Sequence, residues 1–144
     1  MPAPLSDILH EWLHIVMRRS MHNLIIYAKE KNHSMAQLNA LFRIHHIGVC
    51  GISDLGEEMG VTSAAASQLL DRLVQQGLVI RTEDPTDRRN KRVALTEAGE
   101  AIVQESIAAR QGWLDHLAEK LTPAEREQVH ASLQLLINNA KTLG

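Results

Sequence analysis

The segment over residues 61–99 constrains what this chain can fold into more than any other segment. It predicts a helix that ends at Gly77, two short strands joined by a polar loop, and the start of another helix. A short helix over residues 55–59, introduced by Ser53 and Asp54 and ended by Gly60, comes just before it. Two helices joined by a tight turn are typical of a helix-turn-helix, so the pattern predicts a helix-turn-helix followed by a β-hairpin wing.

The helix that follows Gly60 has two different faces. Thr62 or Ser63 begins it as the N-cap residue. Helical spacing gathers an apolar face that we expect to be buried: Ala65, Ala66, Leu69, Leu70, Leu73 and Val74. The remaining face is small and polar: Ser63, Ala64, Ser67, Gln68, Asp71, Arg72 and Gln75. One side is therefore predicted for the core and the other for solvent or a ligand.

The polar face carries residue types that suit the major groove of duplex DNA. Small side chains at Ala64 and Ala65 let the helix approach closely, and Ser67 can donate or accept a hydrogen bond. Gln68 can pair with an adenine edge through both atoms of its amide. The first turn, with Thr62 and Ser63, offers backbone amides and hydroxyls to a phosphate. These residues predict a DNA-reading surface.

The predicted wing concentrates positive charge in a chain whose formal net charge is −2. Its strands are expected over residues 78–82 and 91–96, and its cations are Arg88, Arg89, Lys91 and Arg92. Asp87 can hold the Arg89 guanidinium in one pose, and a planar cation at a hairpin tip suits a narrow minor groove. Because salt screens charges beyond about 8 to 10 Å, a basic edge is compatible with a slightly acidic total. Asp71 would repel phosphate, and we expect it where the helix leaves the groove.

Helix signals also flank this region. The first helix, over about residues 5–31, is apolar on more than one face, which predicts packing against a second molecule. Ser34 and Gln37 match a capping box that begins the second helix, which Gly48 ends. A long helix is predicted from Thr96 to about residue 120, and a last helix begins with a capping box over residues 122–125.

Length and composition predict one intracellular globular domain of 144 residues. The single cysteine, Cys50, cannot form an internal disulfide. A redox switch would need an exposed thiol with a lowered pKa, whereas the position of Cys50 favours a buried short strand beside the wing and an ordinary core cysteine. The N-terminus lacks the features of a signal peptide, and no apolar run approaches the roughly 20 residues of a membrane helix. We therefore expect a cytoplasmic protein that does not bind a membrane.

The run SQLLDRLVQQGLVIRTEDPTDRRNKRVALTEAG resembles the MarR family of winged helix-turn-helix regulators. Helix, glycine turn, strand, D-x-R wing and L-T-x-x-G helix start occur in register, and the resemblance extends over residues 37–102. It implies a mainly α fold in which residues 33–98 form the winged helix-turn-helix and residues 4–31 and 99–142 form dimerisation helices. The function implied is that of a homodimeric transcriptional repressor, not an enzyme and without a cofactor.

The resemblance also assigns roles to particular residues. Ser67 and Gln68 would face bases, Arg89 would reach the minor groove with Asp87 orienting it, and Arg72 would be structural or phosphate-bound. The full set expected to bind DNA is Thr62, Ser63, Ala64, Ser67, Gln68, Arg72, Asp87, Arg88, Arg89 and Lys91. A two-fold protein should prefer a pseudo-palindromic operator with half-sites about one helical turn apart.

An effector site is implied by the same resemblance, because many members bind small phenolic or carboxylated aromatic compounds between the dimerisation helices and the winged domain. Binding there changes the separation of the two recognition helices and releases DNA. The residues expected at that junction are His14, Met17, Met21, His45 and Trp113. No metal site is predicted.

Two alternatives come from the histidines. His10, Glu11 and His14 match H-E-x-x-H, the zinc-hydrolase pattern that needs a third ligand and a cleft. A metal-responsive repressor is the other alternative, in which His10 and His14 join His116 or His130 across a dimer.

Overall fold

The computed structural model of the chain, which describes residues 1–87 and 91–144, is mainly helical with a small antiparallel sheet. In chain order its elements are α1 (Leu5–Glu30), α2 (Met35–Ile47), β1 (Cys50–Gly51), α3 (Ile52–Met59), α4 (Ser63–Gln75), β2 (Val79–Glu83), β3 (Lys91–Leu95), α5 (Glu97–Lys120) and α6 (Pro123–Ala140). The predicted fold class, helical with a hairpin wing after a helix-turn-helix, is confirmed.

The sheet has the order β1-β3-β2, and both pairs are antiparallel. β2 and β3 form the predicted hairpin, with Val79 opposite Leu95 and Glu83 opposite Lys91. β2 begins one residue later than expected and extends to Glu83. Cys50 lies opposite Val93, so the expected short buried strand beside the wing is confirmed.

Helix starts follow the capping signals closely. Ser34 and Gln37 exchange both hydrogen bonds of a capping box, each 3.1 Å long, and α6 begins with the equivalent box. α3 is the exception, because it begins at Ile52 rather than at residue 55. Gly51 ends β1 and serves directly as the N-cap, which leaves Asp54 in the first turn, where a carboxylate is favourable.

The core lies in the unit Met1–Arg110, which contains α1 to α4, the sheet and the first part of α5. The most deeply buried apolar side chains of this unit come from four helices and two strands, and they include Leu38, Leu41, Ile44, Leu55, Leu70, Leu73, Val79, Val93 and Val103. Burial of such aliphatic side chains is the main stabilising contribution to the unit.

A close backbone approach joins the hairpin to α5. A Cβ atom at Gly99 would collide with the carbonyl oxygen of Leu78, so only glycine fits at this position. Thr96 donates a 2.6 Å hydrogen bond to the carbonyl oxygen of Gly77, and its hydroxyl oxygen accepts one from the Gly99 amide. The L-T-x-x-G pattern in the sequence therefore marks the point at which α5 begins against the hairpin.

The second unit, Gln111–Gly144, contains the end of α5 and all of α6. Arg126 donates hydrogen bonds to the carbonyl oxygens of Ala118 and Glu119, which lie in the last turn of α5. None of the residues of α6 is buried. Among the described residues, no helix is both long and apolar enough to cross a membrane.

Candidate nucleic-acid interface

The turn between α3 and α4 is tight because two glycines permit it. Gly60 ends α3 with a left-handed φ of 67°, and the Val61 amide donates a 2.9 Å hydrogen bond to the carbonyl oxygen of Gly56. A Cβ atom at Gly56 would lie 3.3 Å from the Val61 carbonyl oxygen and 3.5 Å from the Ala66 Cβ atom. The close approach fixes the direction in which α4 leaves the turn.

The outer face of α4 is more exposed than its sequence pattern predicts. Ser63, Ala64, Gln68, Asp71, Arg72 and Gln75 are exposed, as expected, and Ser67 is half-buried. The predicted apolar face is too wide, because Ala65 and Val74 are also exposed while Leu69 is only half-buried. Only Ala66, Leu70 and Leu73 are buried, since α4 meets the core along one narrow stripe. The exposure of Ala65 agrees with its expected role beside Ala64 as a small residue that lets the helix approach closely.

The first turn of α4 presents backbone amides outward. Thr62, rather than Ser63, is the N-cap, and its hydroxyl oxygen accepts a 3.1 Å hydrogen bond from the Ala65 amide. The Ala66 amide bonds to the Thr62 carbonyl oxygen. Helix geometry leaves the amides of Ser63 and Ala64 to partners outside the helix, where the helix dipole favours an anion.

An arginine that the sequence analysis did not single out contacts the same helix. Arg81 on β2 forms an ion pair with Asp71 and donates a 3.2 Å hydrogen bond to the carbonyl oxygen of Ser67. The Arg81 guanidinium offsets the charge of Asp71, and the expectation that Asp71 lies where the helix leaves a groove stays a prediction. The sequence does contain a signal for this contact. Side chains alternate between the two faces of β2, so Arg81 lies on the same face as buried Val79. A cation on a buried face needs an acidic partner.

The start of the loop between β2 and β3 is held in place by Asp84. This buried carboxylate accepts hydrogen bonds from the Thr86 amide and hydroxyl, at 3.0 and 2.8 Å, and from Arg92 Nη2 at 3.0 Å. The two Thr86 bonds, with a further contribution from the Arg92 charge, lower the pKa of Asp84. Arg92, one of the four cations of the predicted basic cluster, therefore braces the hairpin.

The outer end of the wing is described only in part. Asp87 and Lys91 are exposed, and the Asp87 amide donates a 3.2 Å hydrogen bond to the Asp84 carbonyl oxygen. Arg88 and Arg89 lie outside the described residues. Their contact with DNA, and the orientation of Arg89 by Asp87, stay predictions.

An open groove of about 420 Å³ lies in the first unit. It is lined by Met21, Leu24, Met35, Ala36, Leu38, Asn39, Phe42 and Arg110. The Arg110 guanidinium carbon lies 5.6 Å from the centre of the Phe42 ring, a geometry typical of a cation–π contact. The groove thus combines apolar walls with one positive charge.

Only one of the five residues expected at an effector site lines this groove, namely Met21. His14 and Met17 are exposed on α1, and Trp113 is half-buried in the second unit. His45 lies 2.9 Å from Glu100 through its Nδ1 atom, and this hydrogen bond is the main cause of the lowered pKa of Glu100. These roles in effector binding stay predictions.

The histidines of the H-E-x-x-H pattern, His10 and His14, are exposed on α1. Within residues 1–87 and 91–144, no three His, Cys, Asp or Glu side chains come together as a metal-binding group. The described part of a single chain therefore supplies no third ligand for either metal alternative. Burial raises the pKa of the Cys50 thiol, which disfavours the reactive thiolate.

The amino-acid sequence of this chain is similar to those of known proteins. Residues 33–91 match the model of the MarR family. The chain is 33% identical over 111 residues to the HTH-type transcriptional regulator YfiV of Bacillus subtilis, covering 75% of this chain and 69% of YfiV. It is 31% identical over 107 residues to the HTH-type transcriptional repressor MdtR of the same organism, covering 74% of this chain and 69% of MdtR.

The fold also matches that of a solved regulator structure. The crystal structure of a mutant MarR from E. coli, complexed with operator DNA, superimposes with a TM-score of 0.60 at 27% identity, covering 93% of this chain and 99% of that one. Sequence match, relatives and fold agree, and the chain belongs to the MarR family.

Proposed function

We propose that this chain is a homodimeric transcriptional repressor that binds a pseudo-palindromic DNA operator through the outer face of α4. The observation that carries the proposal is the exposed Ser63–Arg72 face, with small and hydrogen-bonding side chains next to an outward-facing helix N-terminus. The likeness to a MarR structure complexed with operator DNA and to the repressor MdtR supports the same function.

The residues proposed to contact bases and phosphates divide by chemistry. Gln68 is exposed and suits an adenine edge, with Ser67 beside it. Thr62, Ser63 and Ala64 place the first turn of α4 against a phosphate. Arg72 supplies a phosphate contact farther along the helix, and Asp87, Arg88, Arg89 and Lys91 supply the wing contacts.

Exposed apolar surface supports the proposed homodimer. α1 exposes large apolar side chains over most of its length, with 68% of Leu5, 54% of Leu13 and 61% of Met17 accessible. α6 exposes Val129, Leu133 and Ile137 at helical spacing. Soluble proteins rarely leave such continuous apolar surface in water, so a second copy is proposed to cover both helices.

Selection of bound sequences from random duplexes, followed by anisotropy titration at several salt concentrations, tests the proposal. We expect a pseudo-palindrome with half-sites about 10 bp apart. Gln68→Ala should cost about 1 to 3 kcal/mol on the selected sequence and relax the preference at one position per half-site. Gln104→Ala, which changes an exposed glutamine on α5, serves as the matched control. Failure to enrich any sequence would contradict the proposal.

Release by a small molecule is the proposed form of regulation. The groove beside Arg110 and Phe42 has apolar walls that suit an aromatic ring and a guanidinium that suits a carboxylate or phenolate. Met21 and Met35 add adaptable apolar side chains to its lining. A compound that binds more tightly to the DNA-free arrangement lowers DNA affinity by that difference in binding free energy.

A screen of aromatic carboxylates and phenols against the protein–operator complex tests this form of regulation. A compound that releases DNA from the wild type should lose that effect in Arg110→Leu, while Gln104→Ala should respond normally. Release that is unchanged in Arg110→Leu would place the effector elsewhere.

A further inference from the structure

Arg81 lies on β2 but binds α4 at two points one helical turn apart. Its Nη2 atom pairs with the Asp71 carboxylate and donates a 3.2 Å hydrogen bond to the carbonyl oxygen of Ser67. Ser67 and Asp71 are four residues apart and therefore lie on the same side of α4. One guanidinium thus connects the strand that leads into the wing with the helix face proposed to read bases.

Stability alone gives little reason for an arginine at this position. The Arg81 Nε atom is buried and finds no acceptor among the described residues, which costs free energy. The Asp71 side chain is 54% exposed, and an ion pair with so exposed a partner contributes little to stability. What the arginine does fix is the position of α4 relative to β2 and the charge on the outer face of α4.

The charge matters because Asp71 is the single acid on the outer face of α4 between Ser63 and Gln75. An uncompensated carboxylate there would repel DNA phosphates, and like charges brought together at an interface weaken binding. With Arg81 in place, the pair is neutral as a whole. Gln68 lies three residues before Asp71 and Arg72 directly after it, and both would feel the same local potential.

We propose that Arg81 is a positioning residue for DNA recognition, which orients α4 against the wing and neutralises Asp71 at the DNA-facing surface. The proposal rests on the DNA-binding function proposed above. It assigns Arg81 a role through Asp71 and Ser67 rather than through direct contact with DNA.

Three variants test this role, namely Arg81→Gln, Asp71→Asn and the double variant. Anisotropy titration of a selected duplex should show roughly tenfold weaker binding for Arg81→Gln, in the range typical of coupled neighbours. The defect should shrink as salt rises, because repulsion by the uncovered Asp71 is screened. The double variant should recover most of the affinity, since the repelling charge is gone, although its Tm should not exceed that of Arg81→Gln.

Two further variants separate charge from geometry. Arg81→Lys keeps the positive charge but replaces the rigid guanidinium, whose Nη2 atom contacts both Asp71 and Ser67, with a more mobile ammonium group. Its affinity should therefore lie between those of the wild type and Arg81→Gln. Arg126→Gln removes an arginine that binds backbone carbonyls in the second unit and should bind DNA as the wild type does.

The outcomes distinguish this proposal from the function on which it rests. A wild type that enriches no duplex would overturn the DNA-binding function and this role together. A wild type that binds while Arg81→Gln binds equally well would overturn only the role of Arg81, and so would a double variant as weak as Arg81→Gln. Should Arg81→Gln fail to fold, Asp71→Asn decides: binding as tight as the wild type or tighter supports the role of charge, and weaker binding contradicts it.

Discussion

α4 and α6 begin in the same way and differ in what covers them. Each starts with a threonine whose hydroxyl oxygen accepts the amide three residues on, at 3.1 Å from Ala65 in α4 and 3.3 Å from Glu125 in α6. α4 buries Ala66, Leu70 and Leu73, whereas α6 buries nothing.

The difference in burial between α4 and α6 indicates that the two amphipathic helices leave different faces for a partner. In α4 the apolar stripe is covered by its own chain, so the polar face is the one left for a partner. In α6 the apolar residues themselves are left, and 46% of Ile137 is accessible to water. A polar face can remain hydrated until DNA displaces the water, while an apolar face is stabilised by permanent burial. The comparison therefore supports a transient partner for α4 and a lasting one for α6.

Truncation of the buried stripe should have the largest effect. Leu70 is fully buried, and Leu70→Ala should lower the free energy of unfolding by about 2 to 5 kcal/mol. Urea denaturation followed by circular dichroism measures this change. Leu135→Ala in α6, where 64% of the leucine is accessible, is the matched control and should cost much less. Equal losses would remove the distinction between the two helices.

A charge on the apolar face of α6 should dissociate the proposed dimer while the chain stays folded. Leu133 is 40% accessible, and Leu133→Asp should raise the dimer dissociation constant at least about tenfold, because association would bury the carboxylate. Light scattering should show the mass falling from twice the 16.1 kDa chain mass to the chain mass itself on dilution. An unchanged dimer with Leu133→Asp would exclude α6 from the interface.

Removal of either threonine cap should lower the stability of the chain by a smaller amount, and the two losses should be nearly equal. Thr62→Ala and Thr122→Ala each remove one hydrogen bond to a helix amide, and each should cost about 1 kcal/mol of stability. Thermal unfolding of both variants, with Thr142→Ala near the C-terminus as control, measures the difference. A cap effect present at Thr122 and absent at Thr62 would show that α4 is fixed by its turn and core contacts instead.

The smallest effect concerns acid stability at the start of the loop between β2 and β3. The pKa of Asp84 is lowered in the folded chain, so its ionised form stabilises the fold above the ordinary aspartate pKa of about 3.9. That contribution is lost as pH falls through the lowered value. Asp84→Asn should therefore flatten the decline of Tm below about pH 4. A Tm profile identical to that of the wild type would show that Asp84 does not contribute in this way.

The features that the sequence predicts best are those that depend on neighbouring residues. The capping boxes at Ser34 and Thr122, the αL glycine at Gly60 and the L-T-x-x-G start of α5 are local hydrogen-bond patterns, and the structure contains them all. They were predictable because their partners lie within a few residues of one another.

The features that the sequence does not predict depend on contacts between different secondary-structure elements. The periodicity of α4 predicts the direction of its apolar face but not its width, so the prediction that Val74 is buried is wrong, and Ala65 is exposed although the same pattern includes it in that face. The pairing of Arg81 with Asp71 joins a strand to a helix, and neither residue signals it alone. The groove beside Arg110 brings α1, α2 and α5 together, which spacing within one helix cannot reveal.

We propose above all that α4 contacts DNA through its polar face. The most direct test adds a selected duplex to the 15N-labelled wild-type protein and measures the changes in amide chemical shift. We predict that the largest changes fall on residues 62–72, with the amides of Ser63 and Ala64 among them, and that α6 changes little. Changes concentrated on α6, with residues 62–72 unaffected at saturating duplex, would contradict the account.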